Sequence, residues 1–169
     1  MKPWAKRLFI VYGWTAFLYI GYQITNRWQI FTPYYLPLTE LDKAIPFLVW
    51  SIYPYFLLIC GMYLPIFIKE KTLFYQALGA MTIAVCINYL VFIFWPTVII
   101  RPPIPGGEGL AEQLYRWLLT IDSPANCFPS GHITSPGIGC WYLWREKRAR
   151  GKWLLPIFFV LSLSILTTK

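Results

Sequence analysis

Residues 73–95 carry no charged side chain. That one run restricts the fold more than any other feature. A helix crosses the hydrocarbon layer of a bilayer with about 20 mostly apolar residues. Inside that layer only a helix or a closed barrel satisfies its own backbone groups. Four further apolar runs occur at residues 8–24, 44–68, 131–144 and 153–169. The composition agrees: 57% of the chain is hydrophobic and 13% is charged, where a soluble domain has about a quarter charged residues. The expected fold is all-α, a polytopic membrane helical bundle of about five transmembrane helices, built as a single domain over residues 1–169.

The residues between the runs punctuate this pattern. The basic N-terminus leads into the first run without a small-residue cleavage site, which reads as an uncleaved span. Residues 25–43 are more polar, and Trp28, Tyr34 and Tyr35 suit the headgroup layer. Thr39 and Asp42 have capping-box spacing ahead of the second run. Pro54 and Pro65 predict kinks within that run. Pro96 stops the third run and opens the longest non-spanning segment, residues 96–130. There Leu110, Leu114, Trp117, Leu118 and Ile121 recur at helical spacing, with Glu112, Gln113 and Arg116 off that face. This predicts an amphipathic helix in the long outer loop, lying on the membrane or packed beneath a site. The fourth run is rich in small residues, Gly131, Ser135, Gly137 and Gly139, which let helices approach closely, so it is expected to be central. Asn88, a strongly polar side chain near the middle of the third run, reads as a helix–helix hydrogen bond.

The net charge of +8 is not a nucleic-acid signal, because the basic residues sit in short clusters between apolar runs. With the N-terminus in the cytoplasm, the inner segments hold Lys2, Lys6, Arg7, Lys69, Lys71, Arg145, Lys147, Arg148, Arg150 and Lys152. The outer ones hold Arg27, Lys43, Arg101, Arg116 and Lys169, so ten of the 15 basic residues lie inside. The excess predicts an integral membrane protein with a cytoplasmic N-terminus. The four cysteines show no ligand spacing, so no metal is expected. Glu40 and Asp42 read as helix N-terminal acids, and Glu108, Glu112 and Asp122 as surface residues rather than ligands.

Against that background one short stretch carries chemistry, Cys127-Phe128-Pro129-Ser130-Gly131-His132. His132 is the one histidine of the chain. Ser130 can N-cap a helix that begins at Gly131. The first amides of such a helix lack internal partners and the helix dipole makes them an anion cradle. Arg101, in the preceding outer segment, offers a planar fork suited to phosphate. Under the expected topology Arg101, Ser130, His132 and Lys169 all reach one face, the periplasmic, extracytoplasmic or lumenal one.

These residues resemble the type 2 phosphatidic acid phosphatase superfamily of membrane lipid phosphatases. Its motifs are Lys-x6-Arg-Pro, Pro-Ser-Gly-His and Ser-Arg-x5-His-x3-Asp. The second is complete as Pro129-Ser130-Gly131-His132. The first is half present as Arg101-Pro102, with Phe94 at the lysine position. The segment Phe94-Trp95-Pro96-Thr97, together with Ala44-Ile45-Pro46-Phe47 and Tyr53-Pro54-Tyr55, is similar to the inositol phosphorylceramide synthase-like branch. Ser164 to Lys169 resembles the opening of the third motif, whose histidine and aspartate would follow Lys169. The family's sixth core helix would follow too, so the sequence looks C-terminally truncated.

The resemblance implies a phosphohistidine mechanism on a phosphorylated membrane lipid, without cofactor. His132 would be the general acid, Arg101, Ser130 and Gly131 would hold phosphate, and Ser164 and Lys169 would be a third-motif remnant. The nucleophilic histidine is absent from these residues. The chain is therefore expected to be either a phosphatase or phosphotransferase lacking its nucleophile, or a non-catalytic membrane protein that binds phosphorylated lipid or a partner. A transporter or scaffold unrelated to phosphate is the third possibility.

Overall fold

A computed structural model describes residues 3–101, 103, 106–147 and 151–168, without the side chains of Pro3 and Leu41. Lys2, Pro102, Arg148, Arg150 and Lys169, named above for topology or motif, lie outside the described residues. The fold is an all-α, polytopic membrane-helix bundle. Three helical segments are long and apolar enough to cross a membrane: Trp4–Arg27, Val49–Phe67 and Lys71–Phe94.

The first, α1 (Pro3–Arg27), starts on a proline, whose missing amide is one the helix leaves unbonded anyway. Its apolar residues face every direction, and Phe9 and Phe17 each keep 74% of their surface exposed, as expected of a helix solvated by lipid. After α1 the chain forms a two-residue strand β1 (Tyr34–Tyr35) and a short helix α2 (Glu40–Ala44). The expected capping box is present: Asp42 Oδ2 accepts from the Thr39 amide at 2.8 Å, and Thr39 Oγ1 accepts from the Asp42 amide at 3.2 Å.

The second segment begins at Val49 rather than at residue 44. It runs through one 3-10 turn, Val49–Ser51, into α3 (Ile52–Cys60) and then a longer 3-10 stretch, Gly61–Phe67. Pro54 produces no kink, because it falls in the first turn of α3, where its amide is not needed. Pro65 lies in the 3-10 stretch, and its carbonyl accepts from the Ile68 amide at 3.0 Å to close it. The third segment, α4 (Lys71–Phe94), ends where expected, with Trp95 donating to the Val91 carbonyl before Pro96.

The remaining helices are α5 (Leu110–Ile121), α6 (Gly131–Lys147) and α7 (Leu154–Thr168). At about 1.5 Å per residue, the 17 residues of α6 and 15 of α7 span less than a full hydrocarbon layer. Among the described residues the long apolar helices thus number three, and five complete spans is a finer reading than the helix lengths carry. α6 is central: it packs against the 3-10 stretch, α4, α7 and α3. Its glycines make this possible. A Cβ on Gly139 would come within 2.9 Å of the Gly61 carbonyl oxygen, and one on Gly61 within 2.9 Å of Pro136 Cβ.

α5 is the expected amphipathic helix, and its packed face is centred on Tyr115 and Leu118. Leu110 and Trp117 are exposed, whereas Tyr115 and Leu118 are buried against Ile52 and Tyr55 of α3. Of the expected stripe Leu114, Leu118 and Ile121 do pack, joined by Ala111, Tyr115 and Leu119, which that stripe did not include.

Two ends of the bundle differ in character. At one end Arg7 donates to the Lys69 carbonyl, and Glu146 Oε1 accepts from the amides of Lys69 and Glu70 at 2.6 Å each. At the other end the non-spanning segments are knitted together by backbone bonds. β1 pairs in parallel with β2 (Thr97–Val98), Tyr34 opposite Thr97 and Tyr35 opposite Val98. Val98 also bridges Ala125, and the Ile99 amide donates to the Pro124 carbonyl at 3.2 Å. Three loops thereby become one cap over the bundle end that holds Arg101 and His132.

Candidate functional site

The cap is fastened to α1 by polar side chains. Asn26, 2% exposed, donates from Nδ2 to the Ala125 carbonyl at 3.2 Å. Its Oδ1 accepts from the Ser123 amide at 3.1 Å and the Ser123 hydroxyl at 2.8 Å. Asn126, with φ of 59°, donates to Thr25 Oγ1 at 3.1 Å. Asparagine tolerates this left-handed conformation better than most residues, and it turns the chain toward the helix that follows.

Under the cap lies a cavity of about 210 Å³. Arg101, Ser130 and His132 all line it, arriving from two loops and the first turn of α6. Thr168 at the end of α7 lines it as well. α7 is held there by bonds from the Leu48 amide to the Thr167 carbonyl and between the Ser51 and Thr168 hydroxyls, both 2.9 Å. Gly131 and Ser164, in contrast, are not among the lining residues, and Gly131 lines a second cavity between the helices instead. Ser164 is buried and donates to the Leu161 carbonyl of its own helix.

α6 starts at Gly131, with Ser130 in the capping position. The cap is made by the Ser130 carbonyl, which accepts from the amides of Ile133 and Thr134 at 3.3 and 3.1 Å. The Ser130 hydroxyl and the amides of Gly131 and His132 have no partner among the described residues. These three donors are what an anion at a helix N-terminus requires. Pro136 has no amide to offer the His132 carbonyl four residues back, which relaxes this first turn.

His132 Nε2 lies 3.1 Å from the Tyr55 hydroxyl, and the two rings sit 5.2 Å apart. The phenol therefore fixes one ring nitrogen, and Nδ1 has no hydrogen-bond partner among the described residues. Tyr115 contributes a further polar group. It is 1% exposed and its hydroxyl has no hydrogen-bond partner among the described residues, although it lines the same cavity. Burial pushes the Tyr115 phenol up, against the opposing pull of Arg101, so it remains an O–H donor at neutral pH.

Arg101 is engaged. Its Nη2 pairs with Asp122 Oδ2 at 2.6 Å, and Nη1 donates to the Asp122 carbonyl at 2.6 Å. Asp122 also accepts from the Tyr22 hydroxyl at 2.5 Å. Asp122 is thus not the surface residue expected above. It is buried to 9% exposure and holds Arg101 against α1. Its only signal in the sequence is its place between an amphipathic helix and a motif, which does not name its partners. Among the described residues no three His, Cys, Asp or Glu side chains form a metal-ligand cluster. The arrangement is one cation already paired, one oriented imidazole and a set of unpaired O–H and N–H donors. It can bind an oxyanion that displaces Asp122 from Arg101, and it can pass one proton through His132.

No family model matches this chain, and no curated protein or solved structure does.

Proposed function

We propose that the capped cavity binds the phosphate of a membrane lipid, in the manner of the type 2 phosphatidic acid phosphatases. The supporting observation is that Arg101, distant in sequence from Ser130 and His132, lines one cavity with them and with the Tyr115 hydroxyl, which has no partner among the described residues. In this reading the phosphoryl oxygens take the amide of His132, the hydroxyls of Ser130 and Tyr115, and the fork of Arg101. Phosphoryl transfer needs positioning and neutralised equatorial charge more than any other protein contribution. His132, oriented by Tyr55, is suited to protonate a leaving alkoxide oxygen as the phosphorus–oxygen bond breaks. The family's nucleophile is a second histidine, and this sequence has one. The behaviour expected of these residues alone is therefore binding without turnover. The site would face away from the cytoplasm, on the side opposite Arg7 and Lys69.

Cys127 lines the same cavity and supplies the test. In a variant with Cys60, Cys86 and Cys140 replaced by alanine, vanadate should protect Cys127 from maleimide saturably. Ser130→Ala and Arg101→Lys should weaken that protection. Absence of protection in the unsubstituted cavity would sink the reading.

A second reading rests on the Arg101–Asp122 pair. If that pair is a permanent tie, the cavity is the inside of a structural cap and the protein is a non-catalytic membrane component that engages a partner. Asp122→Asn separates the two, because it frees Arg101 for an anion in the first and only loosens the cap in the second.

A further inference from the structure

A second, larger cavity of about 580 Å³ lies between α1, α3, α4 and α6, within the range of roughly 300–1,000 Å³ typical of small-molecule sites. His132, Asp122 and Tyr22 line both cavities, so they form the wall between them. The larger one is mainly apolar, with Ile59, Val85 and Phe92 among its walls. Yet on residues that line this larger cavity three buried polar atoms have no hydrogen-bond partner among the described residues: Thr15 Oγ1, Gln23 Oε1 and Asn88 Nδ2. Native interiors leave few such atoms, and three around one cavity call for an explanation.

Asn88 is the most informative of them. It is 5% exposed, and its Nδ2 has no acceptor. It lies 4.0 Å from where a Cβ on Gly131 would sit. The carboxamide thus faces the N-terminus of α6, whose first amides are also unpaired. The helix–helix hydrogen bond expected of Asn88 is not made. A donor so placed, on the wall of the apolar chamber beside the first turn of α6, suits an acceptor located where an apolar chain meets a polar head.

We propose that the larger cavity binds an acyl lipid whose ester or amide carbonyl accepts from Asn88 Nδ2, with the hydrocarbon lying among α1, α3 and α4. This rests on the reading of the neighbouring cavity as a headgroup site only for which end of the lipid points where. Asn88 is then a specificity residue that distinguishes acyl from ether-linked chains.

The test uses neutral lipids, so that it does not depend on phosphate recognition. Purified protein in detergent is loaded with a fluorescent diacylglycerol and titrated with unlabelled diacylglycerol or the dialkyl ether of equal chain length. The unsubstituted protein should prefer the diacyl compound by about tenfold, the worth of one buried hydrogen bond. Asn88→Leu should bind both with the affinity of the ether, and Asn88→Ala is carried beside it in case leucine overfills the wall. Equal affinity for the two lipids in the unsubstituted protein overturns the proposal, since water would then satisfy Asn88 equally well. A preference that persists in both variants overturns it too. Failure of vanadate to protect Cys127 would refute the phosphate reading and leave this result standing.

Discussion

Arg101 Nη2 lies 2.6 Å from Asp122 Oδ2, with 19% and 12% of the two side chains exposed. Removing one partner of such a buried pair leaves the other charge uncompensated. Arg101→Met should therefore cost about 3–5 kcal/mol of stability. The double variant Arg101→Met with Asp122→Leu should recover most of that loss, as apolar replacements of buried pairs often do. Unfolding in mixed detergent measures both. Under the phosphate reading, Asp122→Asn should also raise vanadate affinity, because the carboxylate no longer competes for the guanidinium.

Tyr115→Phe separates stability from binding. The hydroxyl is buried and unpartnered, so its loss removes a desolvated group worth about 1–3 kcal/mol. The variant should be as stable as the parent or more so, yet bind vanadate several-fold more weakly. A stable variant with unchanged binding would remove Tyr115 from the site.

Because the chain has one histidine, its imidazole nitrogens give a single pair of resonances. Tyr55→Phe deletes the hydroxyl 3.1 Å from His132 Nε2. The ring nitrogen shifts in a 15N spectrum should then move toward a mixture of tautomers, since the hydrogen bond at one nitrogen selects which nitrogen carries the proton. Unmoved shifts would show that Tyr55 does not set the tautomer.

Two glycine substitutions test the central place of α6. Gly139→Ala puts a methyl group 2.9 Å from the Gly61 carbonyl oxygen, and backbone cannot yield cheaply. A loss of about 1–3 kcal/mol is expected. Gly79→Ala on α4 meets nothing within 4 Å and should be neutral or stabilising by up to about 1 kcal/mol.

Burial pushes the Cys127 thiol up, Asp122 adds to this, and Arg101 and a backbone bond to Ile99 oppose it. A raised value keeps the sulfur protonated at neutral pH, and only the thiolate alkylates. Maleimide labelling of Cys127 in the folded protein should be slow at pH 7 and rise with pH past the ordinary thiol value of about 8.5. The unfolded chain should show its rise at lower pH. Coincident profiles would contradict the buried setting.

The sequence showed most where a signal is local. Residues 73–95 read as a span because hydrocarbon tolerates nothing else. Thr39 and Asp42 read as a capping box because both atoms lie within one turn. Gly137 and Gly139 marked a close-packed helix. Arg101, Ser130 and His132 could be placed on one face from charge bias and loop order, and they do share a cavity. What was not legible is what depends on distant partners. Nothing near Asp122 announces Tyr22, which comes from the other end of the domain. The place of Tyr115 at the centre of the packed face of α5 escaped because a tyrosine was not counted among the packing residues. The 3-10 stretch Gly61–Phe67 packs closely on α6, a contact that local spacing does not show, and a two-residue strand is too short to show any period.

The pairing of Tyr34 with Thr97 also has a consequence in time. A ribosome makes the chain from its N-terminus, and segments fold as they emerge. The strand carrying Tyr34 leaves the ribosome while its partner is unmade, and α3 and α4 must be inserted before Thr97 exists to meet it. The cap then waits again for Ala125 to bridge Val98. Tyr22, Arg101, His132 and Thr168 are synthesised in that order, so the pocket they share closes only when α7 arrives. During insertion the early loops stand as unmated edges, and it is then that the membrane insertion machinery has most to shield.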